Sequence, residues 1–280
     1  LIYCSISGYG QTGPGAGAAA YDGAIQAASG MMRQTGHEAT GPTRSGYMPC
    51  DMSTALHAAF AITAALLRRE RTGAGQYLDV AMQDTAIVLQ AAQYANYMNE
   101  GTQVGLLGNL SATRAPTADV FPTKDGYLQI TALRDNQVAA LLDTLGIGAR
   151  FSEAAFATDA GRLANGELVR EAVRAALAAN GTKHWHAQLS NAGVPVAEVR
   201  DIPQVLEDPQ LATREVVQEV ARPDDPARAS RVVTAGYIAD RDGPAIHKAA
   251  PLLGADTRDI LLEAGLTDAE IDALRSKGAI

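Results

Sequence analysis

One carboxylate in this sequence stands where an acid could serve as a nucleophile. Asp51 lies in the stretch SGYMPCDMS, residues 45–53, directly before an apolar run over 54–71 that contains neither Gly nor Pro. The run predicts a helix with an acid at its start and arginines at its end, the charge order that the helix dipole favours. Unpaired N–H groups at such a start favour the ionised, nucleophilic carboxylate. Asp and Ser also cap helices, so local sequence leaves both roles open.

Other reactive side chains give weaker indications. Cys50 lies beside Asp51, and a neighbouring negative charge raises the pKa of a thiol and so disfavours the thiolate. No G-x-S-x-G segment, the pattern of a serine hydrolase, is present. His184 and His186 are two residues apart and do not share a helix face. No metal site is therefore predicted.

Several residues outside the Asp51 stretch could contact a substrate. Asp22 follows Tyr21 at the start of a predicted helix, where stabilising that helix is the alternative role. Arg44, Arg114 and Arg134 could each form a bidentate pair with a carboxylate, or simply be solvated at the surface. The glycine-rich turn over 7–23 matches neither a dinucleotide fingerprint nor a P-loop, so it does not predict either ligand.

Composition and charge restrict the class of protein. The 280 residues, 47% of them hydrophobic, can bury one large core or two modest ones. A formal charge of −8 disfavours nucleic acid and anionic membranes as partners. Cys4 and Cys50 form no disulfide framework, so we expect a reducing, cytoplasmic compartment. No apolar run reaches the roughly 20 residues of a membrane span, and no signal peptide is predicted.

The order of apolar patterns predicts an α/β fold followed by smaller units. Strand patterns at 1–7 and 76–82 alternate with helical patterns at 21–32, 54–71 and 86–98. A loop at 101–118 precedes a predicted hairpin over 120–131 and helices at 136–145, 166–179 and 184–190. The remainder predicts a helix at 203–212, strands at 215–221 and 231–237, and helices at 257–264 and 267–277. We therefore divide the chain into 1–100, 101–118, 119–200 and 201–280.

Seven segments, in order, resemble motifs of the class III coenzyme A transferase family, the CaiB/BaiF group. They are LIYCSISGYGQTGP, AYDGAIQAASG, the Asp51 stretch, AALLRRERTGAGQYLDVAMQD, the GN…AP…FPTKDGYL run, GVPVAEV and PLLGADTRDILLEAGLTDAEIDALRSKG. The resemblance implies a Rossmann-like large domain built from both chain ends, a small α+β domain over 119–200, and two subunits interlocked as rings. In the family a CoA-binding section precedes the strand that resembles LIYCSIS, so we expect that the N-terminus is missing here.

The resemblance also implies an activity and a set of site residues. Asp51 matches the catalytic aspartate of enzymes that move CoA from an acyl-CoA to an acceptor carboxylic acid, through an aspartyl anhydride and an aspartyl-CoA thioester, without a metal. Backbone N–H groups at the helix start or in glycine loops are expected to hold the developing oxyanion. The residues expected to bind the acyl-CoA and the acid are Tyr21, Asp22, Arg44, Gly108, Asn109, Arg114 and Arg134.

Two alternatives stay open at this point. The similar α-methylacyl-CoA racemases have a histidine where this chain has Tyr21 and a glutamate where it has Arg134, and both departures argue against racemisation. The loop at 105–118 has no run of consecutive glycines, which argues against the formyl-CoA branch and favours a dicarboxylate such as succinate. A chain lacking the CoA-binding section could also be a non-catalytic fragment or binding subunit.

Overall fold

The computed structural model describes all residues, 1–280, which form two compact units, Leu1–Val199 and Arg200–Ile280. The first part of the first unit contains β1 (Ile2–Ser7), α1 (Asp22–Ala28), α2 (Met31–Thr35), α3 (Pro49–Thr72), β2 (Gln76–Ala81), α4 (Met82–Leu89) and α5 (Ala91–Glu100). Its second part contains β3 (Ala118–Pro122), β4 (Tyr127–Thr131), α6 (Asp135–Thr144), α7 (Asp159–Ala164), α8 (Gly166–Leu177), α9 (Thr182–Asn191) and β5 (Val196–Glu198). Helices and strands are mixed, as the sequence predicted.

Strands β1 and β2 form a parallel pair whose connection carries the candidate nucleophile. The register runs from Ile2 opposite Gln76 to Ser7 opposite Ala81. Parallel strands require a crossover connection, and here it contains α1, α2 and α3. A small core of Ile25, Met31, Cys50 and Ala86 joins α1, α2, α3 and α4. The predicted α/β layering is therefore present in this part of the chain.

Helix α3 begins earlier than the sequence predicted. It starts at Pro49, which suits the first helical position because its fixed φ is helical and its missing N–H needs no partner there. Asp51 is consequently the third residue of the helix and does not precede it. The helix ends at Thr72 and is followed by Gly73, whose φ of 72° is left-handed and whose N–H bonds the Arg69 carbonyl at 2.8 Å.

One face of α3 is buried and the opposite face is exposed. The buried residues include Cys50, Thr54, Ala58 and Ala65, spaced so that they follow one side of the helix. That side packs against α1, α4, β1 and β2. The exposed large side chains of the other side are Met52, Leu56, Phe60 and Leu67.

The same helix corrects one sequence prediction. With 24 residues and a mean hydropathy of 1.4 over its most apolar window, α3 is long and apolar enough to cross a membrane by length and composition. The prediction that no segment reaches the length and apolarity of a membrane span was wrong, because the helix starts at Pro49, before the predicted run, and so reaches 24 residues. Core helices of water-soluble proteins meet the same two criteria.

The second part of the first unit has its own core. Strands β3, β4 and β5 form an antiparallel sheet in that order. Phe121, Leu128 and Ile130 of the sheet pack with Leu141 and Leu177 of the helices, and all five are fully buried. The hairpin and three helices lie where the sequence predicted them. Helix α7 and strand β5 were not predicted, because each is too short for its period to show.

The second unit is a hairpin with short helices, α10 (Ile202–Leu206), α11 (Pro209–Thr213), β6 (Val217–Ala221), β7 (Ala229–Val233), α12 (Thr257–Glu263) and α13 (Asp268–Ser276). The single helix predicted at 203–212 is divided, since the Asp208 carboxylate caps a new helix that starts at Pro209. The predicted capping box at the start of α13 is present, with Thr267 and Glu270 bonding each other's backbone N–H groups.

Candidate active site

Asp51 is an exposed carboxylate at the beginning of a long helix. It occupies the third position of α3, and its side chain is solvent-accessible although the adjacent Cys50 is buried. Met48, at the capping position, supplies no side-chain hydrogen bond to the helix. The helix start must therefore be satisfied by another part of the chain.

That cap comes from Asp22, the first residue of α1. The Asp22 side chain is 6% exposed, and its Oδ2 accepts the N–H groups of Cys50 at 2.8 Å and of Asp51 at 3.3 Å. A carboxylate that accepts helix N–H groups forms the strong, charge-assisted kind of hydrogen bond. Asp22 thus fixes the backbone of Asp51 from a separate helix, and it does so through buried atoms.

This contact removes the helix start as an oxyanion site. Pro49 has no N–H, the N–H groups of Cys50 and Asp51 bind Asp22, and the Met52 N–H bonds the Met48 carbonyl at 3.1 Å. The expectation that these N–H groups hold a developing oxyanion was therefore wrong. Glycine-loop N–H groups remain as donors for that role.

Gln26 extends the Asp22 contact to the irregular segment before α3. Its side chain is fully buried, and its Nε2 donates to Asp22 Oδ1. Its Oε1 accepts from the Ser45 N–H at 3.0 Å and from the Ser45 hydroxyl at 3.1 Å. Sequence reasoning missed Gln26, although its spacing of four from Asp22 places both on one face of α1.

The glycine-rich turn after β1 is also fixed by polar side chains. The Gly10 N–H donates to the Ser7 hydroxyl at 3.0 Å, and the Gln11 N–H donates to Asp79 Oδ2 at 2.8 Å. Gly10 has a φ of 89°, a conformation that favours glycine. Asp79, on β2, was not predicted as part of any site, because its partner lies 68 residues away in sequence.

Cys50 is held in its protonated form. Burial, and after it the negative charges of the nearby Asp22 and Asp51 carboxylates, together raise the pKa of the Cys50 thiol from 9.0 to about 11. The sequence-based expectation about the direction of this shift is confirmed. At neutral pH the thiol is therefore a poor nucleophile, which leaves Asp51 as the reactive group at the start of α3.

The raised pKa predicts a pH-dependent stability. The folded state keeps the Cys50 proton that the unfolded state releases. The stability that this group contributes is therefore fully present below about pH 9 and is lost as the pH rises to about 11. The full shift corresponds to about 3 kcal/mol, and solvent screening lowers the expected loss to about 1–2 kcal/mol. Urea unfolding on both sides of this window measures it, with Cys50→Ala as the control that lacks this dependence. Equal pH dependence in both proteins would contradict the assignment.

Tyr21 and Arg44 lie near the Asp22 cap. Tyr21 precedes α1 and is 86% exposed, with no hydrogen bond from its hydroxyl. A methyl group added at Gly23 would lie 3.4 Å from Cδ of Arg44, so this arginine passes over the start of α1. Arg44 is exposed and forms no ion pair. Tyr21, Asp22 and Arg44 therefore lie around the start of α1. Through Asp22 this end of α1 contacts the start of α3, where Asp51 lies.

The other predicted site residues lie elsewhere. Gly108, Asn109 and Arg114 line a pocket of about 350 Å³, to which α1 and α3 contribute no residue. Arg134 is exposed at the capping position of α6 and lines neither this pocket nor the Asp51 site. No group of three or more His, Cys, Asp or Glu side chains is placed to hold a metal ion. The predicted site residues therefore lie in three places: around Asp51, in this pocket, and at the start of α6.

Gly108 cannot be replaced without strain. Its φ is 58°, and a methyl group there would lie 2.6 Å from Nδ1 of His37. We expect Gly108→Ala to destabilise the protein by about 2–4 kcal/mol, from the left-handed backbone and the clash together. Gly101→Ala is the matched control, because Gly101 has a φ of 68° with no atom nearby and should cost only about 1–2 kcal/mol. Thermal unfolding measures the loss of stability in both variants. An equal loss in Gly108→Ala and Gly101→Ala would show that the contact with His37 is not tight.

Comparison with known proteins identifies the family. The profile described as CoA-transferase family III matches residues 1–257. The chain belongs to this family. A solved CaiB/BaiF family protein from Brucella suis superposes with a TM-score of 0.80 at 30% identity, covering 94% of this chain and 68% of that one. The predicted mixed α/β fold of the CaiB/BaiF type is thereby confirmed.

Two curated relatives of this family III chain have CoA-transferase names. The succinate–glutarate CoA-transferase of Agrobacterium fabrum is 35% identical over 214 residues, which cover 76% of this chain and 53% of that protein. The succinyl-CoA:glutarate CoA-transferase of Mus musculus is 32% identical over 272 residues, covering 94% of this chain and 60% of that protein. The chain thus spans between half and two thirds of the length of these relatives.

Proposed function

We propose that this family III chain moves CoA from an acyl-CoA thioester to an acceptor carboxylic acid, with Asp51 as the covalent nucleophile. The observation that carries the proposal is the geometry at the start of α3. Asp51 is exposed, its backbone N–H is held by the buried Asp22 carboxylate, and the adjacent Cys50 thiol is kept protonated. An accessible carboxylate with a fixed backbone can attack and leave repeatedly without being repositioned.

The first half-reaction loads CoA onto Asp51. A carboxylate oxygen of Asp51 attacks the thioester carbonyl carbon, the C–S bond breaks, and CoA leaves as a thiolate, so that the acyl group is joined to Asp51 in a mixed anhydride. The thiolate then attacks the aspartyl carbonyl of that anhydride. The donor acid leaves as its carboxylate, and Asp51 carries CoA as a thioester.

The second half-reaction repeats these steps in reverse order on the acceptor. The acceptor carboxylate attacks the Asp51 thioester carbonyl and expels CoA thiolate, which gives a second anhydride. The thiolate attacks the acyl carbonyl of the acceptor, so the new acyl-CoA forms and the Asp51 carboxylate is regenerated. Since the helix-start N–H groups are occupied, the oxyanions are stabilised by other backbone donors in the glycine loops, and not by the Gly10 and Gln11 N–H groups, which bind Ser7 and Asp79.

The acceptor that this proposal favours is a dicarboxylate of succinate or glutarate type. The curated relatives carry these acids in their names. Arg44 supports the choice, because it is exposed and unpaired beside the Asp22 cap and can hold the second carboxylate by a bidentate pair.

Covalent trapping tests the proposal. The protein is incubated with a panel of short acyl-CoAs, including succinyl-CoA, in the presence of hydroxylamine, and its peptides are analysed by mass spectrometry. A hydroxamate on the peptide containing Asp51 is expected, and the acyl-CoA that produces it identifies the donor. Absence of any adduct, with deuterium from solvent entering the α-carbon of a branched acyl-CoA, would instead favour racemisation.

We also propose that the working form is a cytoplasmic, interlocked homodimer. The exposed apolar side chains on α3, Met52, Leu56, Phe60 and Leu67, support an association of this kind, because such a contiguous stripe is unfavourable in water. Light scattering coupled to gel filtration measures the mass in solution. A monomer at micromolar concentration would contradict the assembly.

A further inference from the structure

The fully buried amide of Gln26 is bonded on both sides to parts of the proposed site. Its Nε2 donates to Asp22 Oδ1, and its Oε1 accepts from the N–H and the hydroxyl of Ser45. These partners fix the orientation of the amide, because a carboxylate can only accept a hydrogen bond and a backbone N–H can only donate one. Among uncharged side chains of this length, glutamine alone offers both a donor and an acceptor at its end.

The segment 44–48, which leads into α3, depends on this amide for its position. The segment belongs to no helix or strand, and all of it except the half-buried Ser45 is exposed. Just before it, the Thr43 N–H bonds the Met32 carbonyl at 3.0 Å. Within the segment, the bonds from Ser45 to Gln26 are the only hydrogen bonds to an element other than α3. Loss of the amide would therefore release the segment from α1.

The segment 44–48 carries Arg44, the arginine proposed to hold the second carboxylate of the acceptor. A methyl group added at Gly23 would lie 3.4 Å from Cδ and 3.5 Å from Nη1 of Arg44, so the guanidinium lies over the first turn of α1. Asp22 is the adjacent residue in that turn, yet Arg44 forms no ion pair. Both oxygens of Asp22 are bonded to uncharged donors, namely the Gln26 amide and the N–H groups of α3. Arg44 thus keeps its donors for a ligand.

We infer that Gln26 is a positioning residue for CoA transfer and acts through Arg44. It fixes the segment that carries Arg44, and it occupies the Asp22 oxygen that would otherwise be free to pair with that arginine. Without the amide, Arg44 loses its fixed place and gains a competing carboxylate, so the acceptor acid binds more weakly while Asp51 can still attack. The inference rests on the proposed function and adds to it the residue that places the arginine for the acid.

Steady-state kinetics of Gln26→Met test this inference, with succinyl-CoA as the donor and glutarate as the acceptor. Methionine keeps the length of the side chain and removes the hydrogen bonds to Asp22 and Ser45. The KM for glutarate is expected to rise about tenfold or more, whereas kcat should stay within about threefold of the unaltered protein. A substitution that merely loosened the fold would not raise KM selectively.

Gln90→Met is the matched control. Gln90 is also buried, and its amide bonds the carbonyls of Ser29 and Ala86 and the side chain of Gln34, none of which lies beside Asp51 in the proposed site. Its replacement should lower the unfolding temperature by a comparable amount, because it also leaves buried polar groups without partners. The KM for glutarate should not change in this variant.

A double-mutant cycle separates action through Arg44 from a general loss of structure. If Gln26 acts through Arg44, Gln26→Met should raise the KM for glutarate much less in a protein that already carries Arg44→Gln. Ser45→Ala is a milder variant at a half-buried position, since it removes the hydroxyl bond to Gln26 and leaves the core unchanged. Its KM for glutarate should rise about threefold at an unaltered unfolding temperature.

Three results would overturn the inference: a KM for glutarate in Gln26→Met equal to that of the unaltered protein, an equal rise in Gln90→Met, or additive effects of Gln26→Met and Arg44→Gln. If Gln26→Met does not fold, an unchanged KM in Ser45→Ala overturns it. Hydroxylamine trapping separates this failure from that of the proposed function. A hydroxamate on the Asp51 peptide in every variant, with an unchanged KM, refutes the inference alone, and its absence from the unaltered protein refutes both.

Discussion

Asp51→Asn is expected to lower CoA transfer by about 10³-fold or more, because it removes the atom that forms both covalent intermediates. The amide retains the size of the side chain, and Asp51 makes no side-chain hydrogen bond that the fold requires. The variant should therefore unfold at the temperature of the unaltered protein. Steady-state transfer assays and hydroxylamine trapping measure the loss, and Asp51→Ala is run in parallel because Asn can deamidate to Asp.

The adjacent residue provides the matched control for this experiment. Cys50→Ala removes the thiol next to Asp51 and should retain transfer within a few-fold, since the thiol is buried and protonated. Full activity in Asp51→Asn would refute the proposed function. Loss of trapping in Cys50→Ala with an intact Asp51 would assign the covalent step to the thiol.

Asp22→Ala is expected to lower the free energy of unfolding by about 2–4 kcal/mol and to reduce transfer strongly. It leaves the N–H groups of Cys50 and Asp51 and the Gln26 amide without their buried acceptor. Asp22→Asn should also destabilise the protein, because one of the two accepting oxygens becomes an NH2 group. That NH2 group would face either the N–H groups of α3 or the NH2 group of Gln26, and neither can accept its hydrogen bond. Chemical unfolding measures the stability loss.

Hydrogen exchange locates the effect of this substitution on the molecule. In Asp22→Ala the amides of Cys50 and Asp51 should exchange much faster than those in the middle of α3. Thr267→Ala is the control, because Thr267 caps α13 through an exposed, local hydrogen bond. Loss of this cap should lower the free energy of unfolding by only about 1 kcal/mol. Unchanged protection at Cys50 and Asp51 would show that Asp22 does not hold the helix start.

The parts of the site that sequence could predict are those that depend on neighbouring residues. Asp51 was singled out because an acid at the start of an apolar run is a local pattern, although only the family resemblance chose between a capping and a catalytic role for it. The direction of the Cys50 pKa shift followed from adjacent charge, whereas burial, its largest cause, did not. The helices with a clear apolar period were also found. The exact start of α3 was missed, since Pro49 and a cap from another helix decide it.

What the sequence could not predict are contacts between distant residues. The Asp22 side chain reaches amides 28 and 29 residues further along, and Gln26 reaches Ser45 over 19 residues. No local period marks these contacts, because each depends on how α1 lies against α3. The same holds for the pocket of Arg114, whose walls come from the segment after α2, the loop at 106–114, β3 and α8.

The cap that Asp22 supplies also determines which positions are free to vary. A helix usually constrains the residue before its first turn to be Ser, Thr, Asp or Asn, but here that position is Met48, whose side chain is exposed and bonds nothing in the helix. Substitutions at Met48 and at the exposed Tyr47 therefore carry little cost in stability. These two positions lie just before Asp51 in sequence, so side chains next to the proposed nucleophile can vary while the helix that holds Asp51 stays intact.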